Sequence, residues 1–381
     1  MEEPFRKATA AEPTIANGKP VHGWTLRTSH NIFGNESYVW MMGSNAWYAH
    51  HFWEHFEFTQ DKDFLKNHAY PMMKEACEFW QDHLKKLPDG RLVIPNGWSP
   101  EHGPQNVDGV MIDQEMVWDL FTNTAAAADA LAVDKPLRDT LISLRDRLAT
   151  PKVGSWGQLC EWLDEMKGKY PQDPNLDTPN DHHRHVSHLW GVYPGYQINP
   201  TRTPELAQAA IVSLKARGED GDSRRSWTWP WRCAIAARLG DGELAYSYLH
   251  GLMTRKSTGT GTLMNMLPNL LTTHTPLQLD GNFGIAGAVP EMLLQSQTGE
   301  ITLLPALPAA WPAGSATGLK ARGAFEVDVR WANGQLAGAT IRSAGAFGGT
   351  TAQVRYGAKV VTVILPPGGA RNLDANLILI P

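Results

Sequence analysis

The hydrophobic period of this chain changes once, and that change constrains the fold more than any other feature of its 381 residues. Up to about residue 297, apolar residues recur at the spacing of amphipathic helices, in pairs joined by short polar turns. Beyond Gln297 they alternate as they do in half-buried strands. The sequence therefore predicts a mainly α protein, with a helical domain over residues 38–297 and a small all-β, sandwich-like domain over 298–381.

The helical region is predicted to consist of antiparallel helical hairpins, because its helices are joined pairwise by short turns. Long loops rich in glycine and proline separate the hairpins and hold most of the unusual residue clusters. This arrangement suggests an α/α toroid or barrel. Residues 1–37, rich in Pro, Gly, Asn and Thr, are predicted to form an irregular leader. The predicted helices lie within 40–84, 113–131, 136–148, 203–216, 229–239, 243–255 and 285–296, and the predicted strands lie near 301–304, 325–331, 338–342, 352–356 and 360–365.

Composition excludes several classes of function. A hydrophobic content of 42% can build a sizeable core, so disorder is a poor description of the chain. The net charge of -5 leaves no basic stripe, which argues against a nucleic-acid partner and favours a neutral ligand. No apolar run is as long as a membrane span, and the polar start lacks the order of a secretory signal. The fifteen tryptophans could pack in cores or stack on sugars.

The three cysteines, Cys77, Cys160 and Cys233, are odd in number and far apart. They form no C-x-x-C pair. The sequence therefore indicates neither a disulfide framework nor a thiolate zinc site.

Two carboxylates framed by turn residues are the leading catalytic candidates. Glu101 lies in residues 96–103 (NGWSPEHG), and Asp280 lies in residues 278–284 (QLDGNFG). Glycine and proline break the helical period at both places, so both acids are predicted to lie on loops. Trp98 beside Glu101 could supply the partly apolar setting that keeps a general acid protonated in glycoside hydrolysis. A surface-loop glutamate and an Asx turn or helix cap remain the alternative interpretations.

Residues 181–189 (DHHRHVSHL) place four histidines and Arg184 in one short stretch. Four imidazoles suggest a metal site, but no glutamate or cysteine completes a ligand set, and Arg184 would repel a dication. Arginine and imidazole also donate hydrogen bonds to sugar hydroxyls. We therefore favour substrate binding by His183, Arg184 and His185 over metal binding, with a structural histidine cluster as the remaining alternative.

Residues 51–55 (HFWEH) match the H-x-x-E-H pattern of an inverted zinc-protease motif. The match is short, and its aromatic neighbours look like the inner face of a barrel helix. Glu54 could instead bind a substrate hydroxyl. No metal or other cofactor is predicted. Glu161, between Trp156 and Trp162, could equally be a solvated glutamate.

These pieces, in this order, resemble glycoside hydrolase family 95, the inverting α-L-fucosidases and relatives that accept α-L-galactosides. The joint order of the motifs is far more specific than any one of them. The family fold is an (α/α)6 barrel followed by a β domain, which agrees with the pattern above. The matching stretches are residues 46–55, 69–76, 98–104, 157–162, 181–189, 279–284, 291–296 and 303–308.

The resemblance implies roles for individual residues. Glu101 would be the general acid, and Asp280 would polarise the side-chain amides of an asparagine pair that holds the attacking water. Glu54, Arg184 and His185 would bind the sugar hydroxyls. The remaining members of the predicted substrate-binding set are Trp98, His183 and Asn282. The expected partner is a fucosylated oligosaccharide or a plant or host glycan, with no membrane involved.

The family's asparagine pair has no match here, because Asn31 and Asn35 align by context with a later loop. The toroid is therefore expected to be incomplete at its N-terminal side, and self-association or a complementing N-terminal segment is expected. Residues 217–227 also depart from the family's usual turn. The alternative function is an impaired sugar-binding or structural fragment of such an enzyme. The sequence leaves the cellular compartment undecided, because the family's members are often exported, whereas the polar start here lacks the order of a secretory signal.

Overall fold

The computed structural model of the chain describes residues 15–26, 41–219, 225–254, 265–274 and 277–381. Within these ranges the chain is helix-rich as far as Leu293 and carries its long strands after that residue. The predicted succession of a helical and a β region is thus confirmed. Of the predicted leader, residues 15–26 are described and carry two short strands, β1 (Ile15–Ala16) and β2 (Lys19–Pro20).

The chain divides into two compact units. Unit 1 comprises Met1–Phe56, Asp61–Asp181 and Ser187–Gln197. Unit 2 comprises Glu57–Gln60, His182–Val186 and Ile198–Pro381. The histidine-rich stretch 181–189 is therefore shared between the two units.

The helices up to residue 145 follow the predicted hairpins closely. Asp61 starts the second helix, because its carboxylate accepts hydrogen bonds from the main-chain N–H groups of Asp63 and Phe64 at 2.9 Å. These elements are α1 (Ser44–Thr59), α2 (Lys62–Phe64), a π-helical turn (Leu65–Ala69), α3 (Tyr70–His83), α4 (Met111–Leu131) and α5 (Lys135–Arg145), with a short hairpin of β3 (Lys85–Lys86) and β4 (Leu92–Val93) after α3.

Helix α4 forms the centre of unit 1. It packs against α3 and α5, and most of its 21 residues are buried. Its buried residues include three acids, Asp113, Glu115 and Asp119. Ionised carboxylates are costly in a core unless they are paired or hydrogen-bonded. The buried face of α4 therefore does more than fill the core with apolar side chains.

Helix α7 (Thr228–Arg238) packs against two other helices of unit 2. Its Pro230 lies under Gly284, where an added Cβ would come within 2.8 Å of the proline Cβ. At Gly281 an added Cβ would lie 2.9 Å from the carbonyl oxygen of Ser226. Both positions are therefore too close to their neighbours to hold a larger side chain without a shift. These elements are α6 (Pro204–Ala216), α7 (Thr228–Arg238), α8 (Gly242–Met253) and α9 (Asp280–Leu293), and α7 packs against both α8 and α9.

The β region of unit 2 contains two sheets that share one hydrophobic core. Four strands pair in the order β11-β10-β6-β5, and five pair in the order β13-β12-β9-β8-β7. All pairs are antiparallel except β10 with β6. The strands are β5 (Leu294–Gln295), β6 (Ile301–Leu303), β7 (Gly314–Ala321), β8 (Phe325–Ala332), β9 (Gln335–Ser343), β10 (Thr351–Tyr356), β11 (Lys359–Ile364), β12 (Ala370–Asp374) and β13 (Leu379–Ile380).

Within the described ranges, every helix is too short or too polar to span a lipid bilayer.

Candidate active site

Glu101 lies at the tip of a closed loop in unit 1. The main-chain groups of Gly97 and Val107 exchange two hydrogen bonds, of 2.8 and 3.0 Å, that close the loop at its base. At the tip, the N–H of His102 donates to the carbonyl of Ser99 at 3.1 Å. Glu101 is half-buried, as predicted for an acid on a loop.

The loop also fixes the aromatic ring beside the acid. Trp98 is half-buried, and its indole N–H donates to the carbonyl of Gly103 at 3.3 Å. Gly103 has a positive φ of 74°, and an added Cβ there would lie 2.8 Å from the ring of Trp162. Glycine is therefore required for the loop to fold back over that ring.

A buried carboxylate, Glu161, lies beneath the loop. Its side chain is 4% exposed. Its Oε1 accepts hydrogen bonds from the hydroxyls of Ser99 and Ser187, and these two hydroxyls are 2.5 Å apart. Its Oε2 lies 3.4 Å from Nδ1 of His188. The alternative of a solvated Glu161 is wrong, because its carboxylate is buried between Ser99 and residues 187–188.

The imidazole of His102 lies between two acids. Its Nε2 is 3.4 Å from Oδ2 of Asp181 and 3.8 Å from Oε1 of Glu161. Oδ2 of Asp181 also accepts the N–H of Asp177 at 3.2 Å. Within the described ranges, these three side chains form the one group of histidine, cysteine or acid residues whose ligand atoms all come within 4.8 Å of one another.

Glu54 belongs to a second chain of polar contacts in unit 1. Its Oε2 lies 3.7 Å from Nε2 of His50, and Nδ1 of the same ring lies 2.8 Å from Oδ2 of Asp119. Asn123 donates to that carboxylate at 2.7 Å and accepts the Tyr196 hydroxyl at 2.6 Å. His50 and Asp119 are buried, whereas the side chain of Glu54 is 29% exposed. The chain therefore begins in the core and ends at an accessible carboxylate.

The zinc interpretation of residues 51–55 finds no ligand set. His51 and His55 are exposed on α1, and the ring of His55 packs on that of Phe64 at 4.2 Å. Neither histidine joins two further metal-ligating side chains in the described part of the chain.

Asp280 is the first residue of α9, not part of a preceding loop as the sequence suggested. The helix thus begins five residues before Ile285, near which the sequence predicted its start. The Asn282 side chain fixes this first turn, since its Oδ1 accepts from the N–H and hydroxyl of Thr272 at 2.9 and 3.0 Å. Its Nδ2 donates to the carbonyl of Leu270 at 2.7 Å. Asp280 itself is exposed.

The aromatic rings of His183, His185 and Trp227 form a continuous row in unit 2. The two imidazoles stack with centroids 5.1 Å apart, and Trp227 lies 4.5 Å from His185. The buried Arg232 supports the row by donating to the carbonyl of His183 at 3.3 Å. Arg184 is half-buried beside these rings in sequence. Such a row offers an apolar face with polar edges, which suits a sugar ring.

The predicted residues thus fall into two groups. Unit 1 holds Glu101, Trp98 and Glu54. Unit 2 holds the remaining predicted residues, which are Asp280, Asn282, His183, Arg184 and His185. Sequence reasoning did not identify three residues that support the first group, which are His50, His102 and Asp119, and it left the role of Glu161 open. The repeated Ser-x-x-His and Ser-His pairs at 99–102 and 187–188 were the available signal, since all four side chains lie around Glu161.

Comparison with known proteins supports one family along most of the chain. Residues 5–293 match the glycosyl hydrolase family 95 catalytic domain, and residues 295–364 match the glycoside hydrolase family 95 C-terminal domain. Alpha-L-fucosidase 2 of Arabidopsis thaliana is 36% identical over 339 residues, which cover 82% of this chain and 38% of that protein. Probable alpha-fucosidase A of Aspergillus niger is 31% identical over 363 residues, which cover 88% of this chain and 44% of that protein.

A solved structure named "Putative kojibiose phosphorylase from human microbiome" has a similar fold, with a TM-score of 0.60 at 10% identity over 98% of this chain and 55% of that one. The chain spans roughly two fifths of the length of the curated relatives that it matches, 38% of one and 44% of the other. The matched domains together cover both the helical and the β region, and the chain belongs to glycoside hydrolase family 95.

Proposed function

We propose that this chain hydrolyses terminal α-L-fucosides, or the related α-L-galactosides, with inversion at the anomeric carbon. The α-fucosidase relatives support the class of substrate, which would be a fucosylated oligosaccharide of a plant or host glycan. The observation that carries the catalytic part is the setting of Glu101. Its carboxyl is half-buried at the tip of a closed loop, next to Trp98 and the buried Pro100.

In the proposed reaction, Glu101 donates its proton to the glycosidic oxygen as the bond between that oxygen and the anomeric carbon breaks. Water attacks the anomeric carbon from the opposite face and its proton passes toward the carboxylate of Asp280, which gives the inverted sugar. The resemblance assigns Asp280 to the water side of the reaction. There it would polarise the side-chain amides of an asparagine pair, for which this sequence has no match. Its exposed position at the start of α9 is compatible with that role.

Recognition of the sugar would fall to the remaining predicted residues. Arg184 and the row of His183 and His185 would bind hydroxyls and cover one face of the ring, and Glu54 would accept hydrogen bonds from hydroxyls. Trp98 would border the leaving group. Asn282 would act by holding the first turn of α9, because its amide is bonded to residues 270–272.

We also propose that the helical region forms part of an (α/α)6 toroid, which its succession of helices and long loops supports.

The proposed reaction uses no metal or other cofactor. Dialysis against a chelator is therefore expected to leave the rate unchanged. A loss of rate that a divalent cation restores would instead assign the group of His102, Glu161 and Asp181 as a metal centre.

The deciding experiment measures release of 4-nitrophenol from its α-L-fucoside by the chain and by Glu101→Gln. A positioned general acid contributes about 10²- to 10⁴-fold, so the variant should lose that much in kcat. Following the product by NMR should show β-L-fucose first. Unchanged activity in the variant would remove Glu101 from its role, and α-L-fucose as first product would exclude inversion.

The sugar-binding alternative predicts a different outcome. A chain that releases no nitrophenol, yet gains thermal stability with added L-fucose, would bind the sugar without cleaving it.

A further inference from the structure

We propose that Glu161 is a positioning residue that holds the proton donor Glu101 in place from both sides; this inference rests on the proposed role of Glu101. In this role Glu161 does not contact the substrate itself. Its carboxylate is the common partner of the two residues that flank the sequence Pro100-Glu101, namely Ser99 and His102.

The first side is Ser99. This residue is fully buried, and its hydroxyl donates to Oε1 of Glu161. Ser187 lies at the same point, because its hydroxyl is 3.1 Å from the same oxygen and 2.5 Å from the hydroxyl of Ser99. Three polar groups from separate loops thus meet at one buried point.

The second side is His102. Its Nε2 lies 3.8 Å from the same Oε1 and 3.4 Å from Asp181, at the distances of ion pairs. Its ring also meets Trp162 edge to face at 5.5 Å, so the neighbour of Glu161 in sequence braces the imidazole. Because the His102 N–H closes the turn on the Ser99 carbonyl, both anchors belong to one tight turn with Glu101 at its tip.

Glu161 is itself held firmly. Its carbonyl accepts the N–H of Met111 at 3.0 Å, which ties it to the start of α4. The far oxygen of its carboxylate lies 3.4 Å from His188. Burying a carboxylate is costly unless its lone pairs are satisfied, and here they are met by groups that belong to the Glu101 loop and to residues 187–188.

Position matters for a proton donor, because a misplacement of about 1 Å can reduce the rate by 10²-fold. The arrangement therefore predicts a specific kinetic pattern. Glu161→Ala should lower kcat for 4-nitrophenyl α-L-fucoside by about 10²-fold and leave KM within about threefold. Glu161→Gln keeps an oxygen for the two serine hydroxyls and should lose clearly less than Glu161→Ala.

The leaving group gives the sharpest readout. Fluoride departs without a proton, so α-L-fucosyl fluoride should be cleaved almost as fast by Glu161→Ala and Glu101→Gln as by the unchanged chain. Glu101→Gln combined with Glu161→Ala should be no slower than Glu101→Gln alone, because both changes remove the same step. Equal losses on both substrates, or losses that multiply in the double variant, would overturn the positioning role.

Hydrogen exchange tests the structural half without any need for activity. In Glu161→Ala the amides of residues 97–107 should exchange faster, whereas Glu165→Ala should leave them unchanged. Glu165 is the matched control, since it lies four residues on and bonds Gln158 at 3.1 Å instead of the Glu101 loop. If Glu161→Ala fails to fold, Glu161→Gln carries the same comparison. Unchanged exchange in the loop would overturn the proposal, whereas an inactive unchanged chain would overturn only the proposed function.

Discussion

At the scale of single residues, the buried pair of His50 and Asp119 positions the accessible carboxylate of Glu54. Asp119 accepts a hydrogen bond from Nδ1 of His50 in the core, so the opposite ring nitrogen faces Glu54. The second ring nitrogen of a histidine is oriented by whatever holds the first. The contact with Asn123 and the further contact with Tyr196 in turn hold Asp119 in place.

We therefore expect Glu54→Gln to weaken substrate binding. A hydrogen bond to a charged group contributes about 1.5–3 kcal/mol, so KM for the α-L-fucoside should rise by roughly tenfold or more. Asp119→Asn should raise KM in the same direction but by less, because it acts through the orientation of His50. Steady-state kinetics check both variants, with the exposed Glu75→Gln as control. A change in kcat alone would argue against a binding role for Glu54.

At the scale of elements, α4 carries its acids on a buried face, and Glu115 is the extreme case. The residue is fully buried, and its Oε2 accepts the N–H of Gly191 at 2.9 Å. An added Cβ on Gly191 would lie 3.0 Å from the carboxyl carbon, so a larger residue there would press on the carboxyl group. Burial raises the pKa of the Glu115 carboxyl well above its usual value of 4.5, and the Gly191 hydrogen bond lowers it only in part.

This raised pKa predicts a pH dependence of stability. The folded chain releases the Glu115 proton at a higher pH than the unfolded chain, whose pKa at this position is about 4.5. The stabilisation is therefore complete below that pH and is lost as the pH rises through the folded pKa, by at most about 1.4 kcal/mol per pH unit. In Glu115→Gln the free energy of unfolding should therefore fall less as the pH rises above about 4.5.

Denaturant titrations at several pH values measure this slope, with Asp129→Asn near the exposed end of α4 as control. Parallel slopes for Glu115→Gln and the unchanged chain would show that Glu115 is ionised in the folded state.

The elements also show what sequence alone can predict. In strands β8 and β9, buried positions largely alternate with partly or fully exposed ones. This period of two could be recognised in the sequence. Strand β7 was missed, because Gly314–Ala321 is mostly exposed, contains two glycines and carries a register shift between Ala316 and Leu319. It pairs through its backbone, and so its side chains leave no alternation to read.

The candidate site divides in the same way. The loop of Glu101 was predictable because its turn residues are adjacent in sequence. The burial of Glu161 was not, since Ser99 and Ser187 approach it from 62 and 26 residues away. The local sequence pattern does not predict contacts between such distant residues. An acid between Trp156 and Trp162 gives the same pattern whether it is solvated or buried.

At the scale of the whole chain, the change of hydrophobic period coincides with the junction of two matched domains. The catalytic-domain match ends at residue 293, the last residue of α9, and the C-terminal-domain match starts at 295 within β5. The helix passes directly into the strand, since Leu294 already has extended backbone angles. The predicted boundary at 297 and 298 lies two residues beyond β5, where the strand-like spacing first becomes continuous.

The cysteines allow folding of both units to be followed in one experiment. Cys77 and Cys160 lie in unit 1 and Cys233 lies in unit 2, and all three are free and fully buried. Burial raises the pKa of the Cys160 thiol to about 11 and that of Cys233 to about 12, and it raises that of Cys77 further. Thiolate, the reactive form, is therefore scarce at neutral pH, and access is closed as well.

A chromogenic disulfide reagent should consequently find no reactive thiol in the folded chain and all three after denaturation. Mass spectrometry of partly labelled chains assigns each modified residue, and therefore each opened unit. A reductant should leave the melting temperature unchanged, because no cross-link is present to break. In the structure Cys233 is fully buried on α7, which packs against α8 and α9. Rapid labelling of Cys233 before any denaturant is added would contradict that burial.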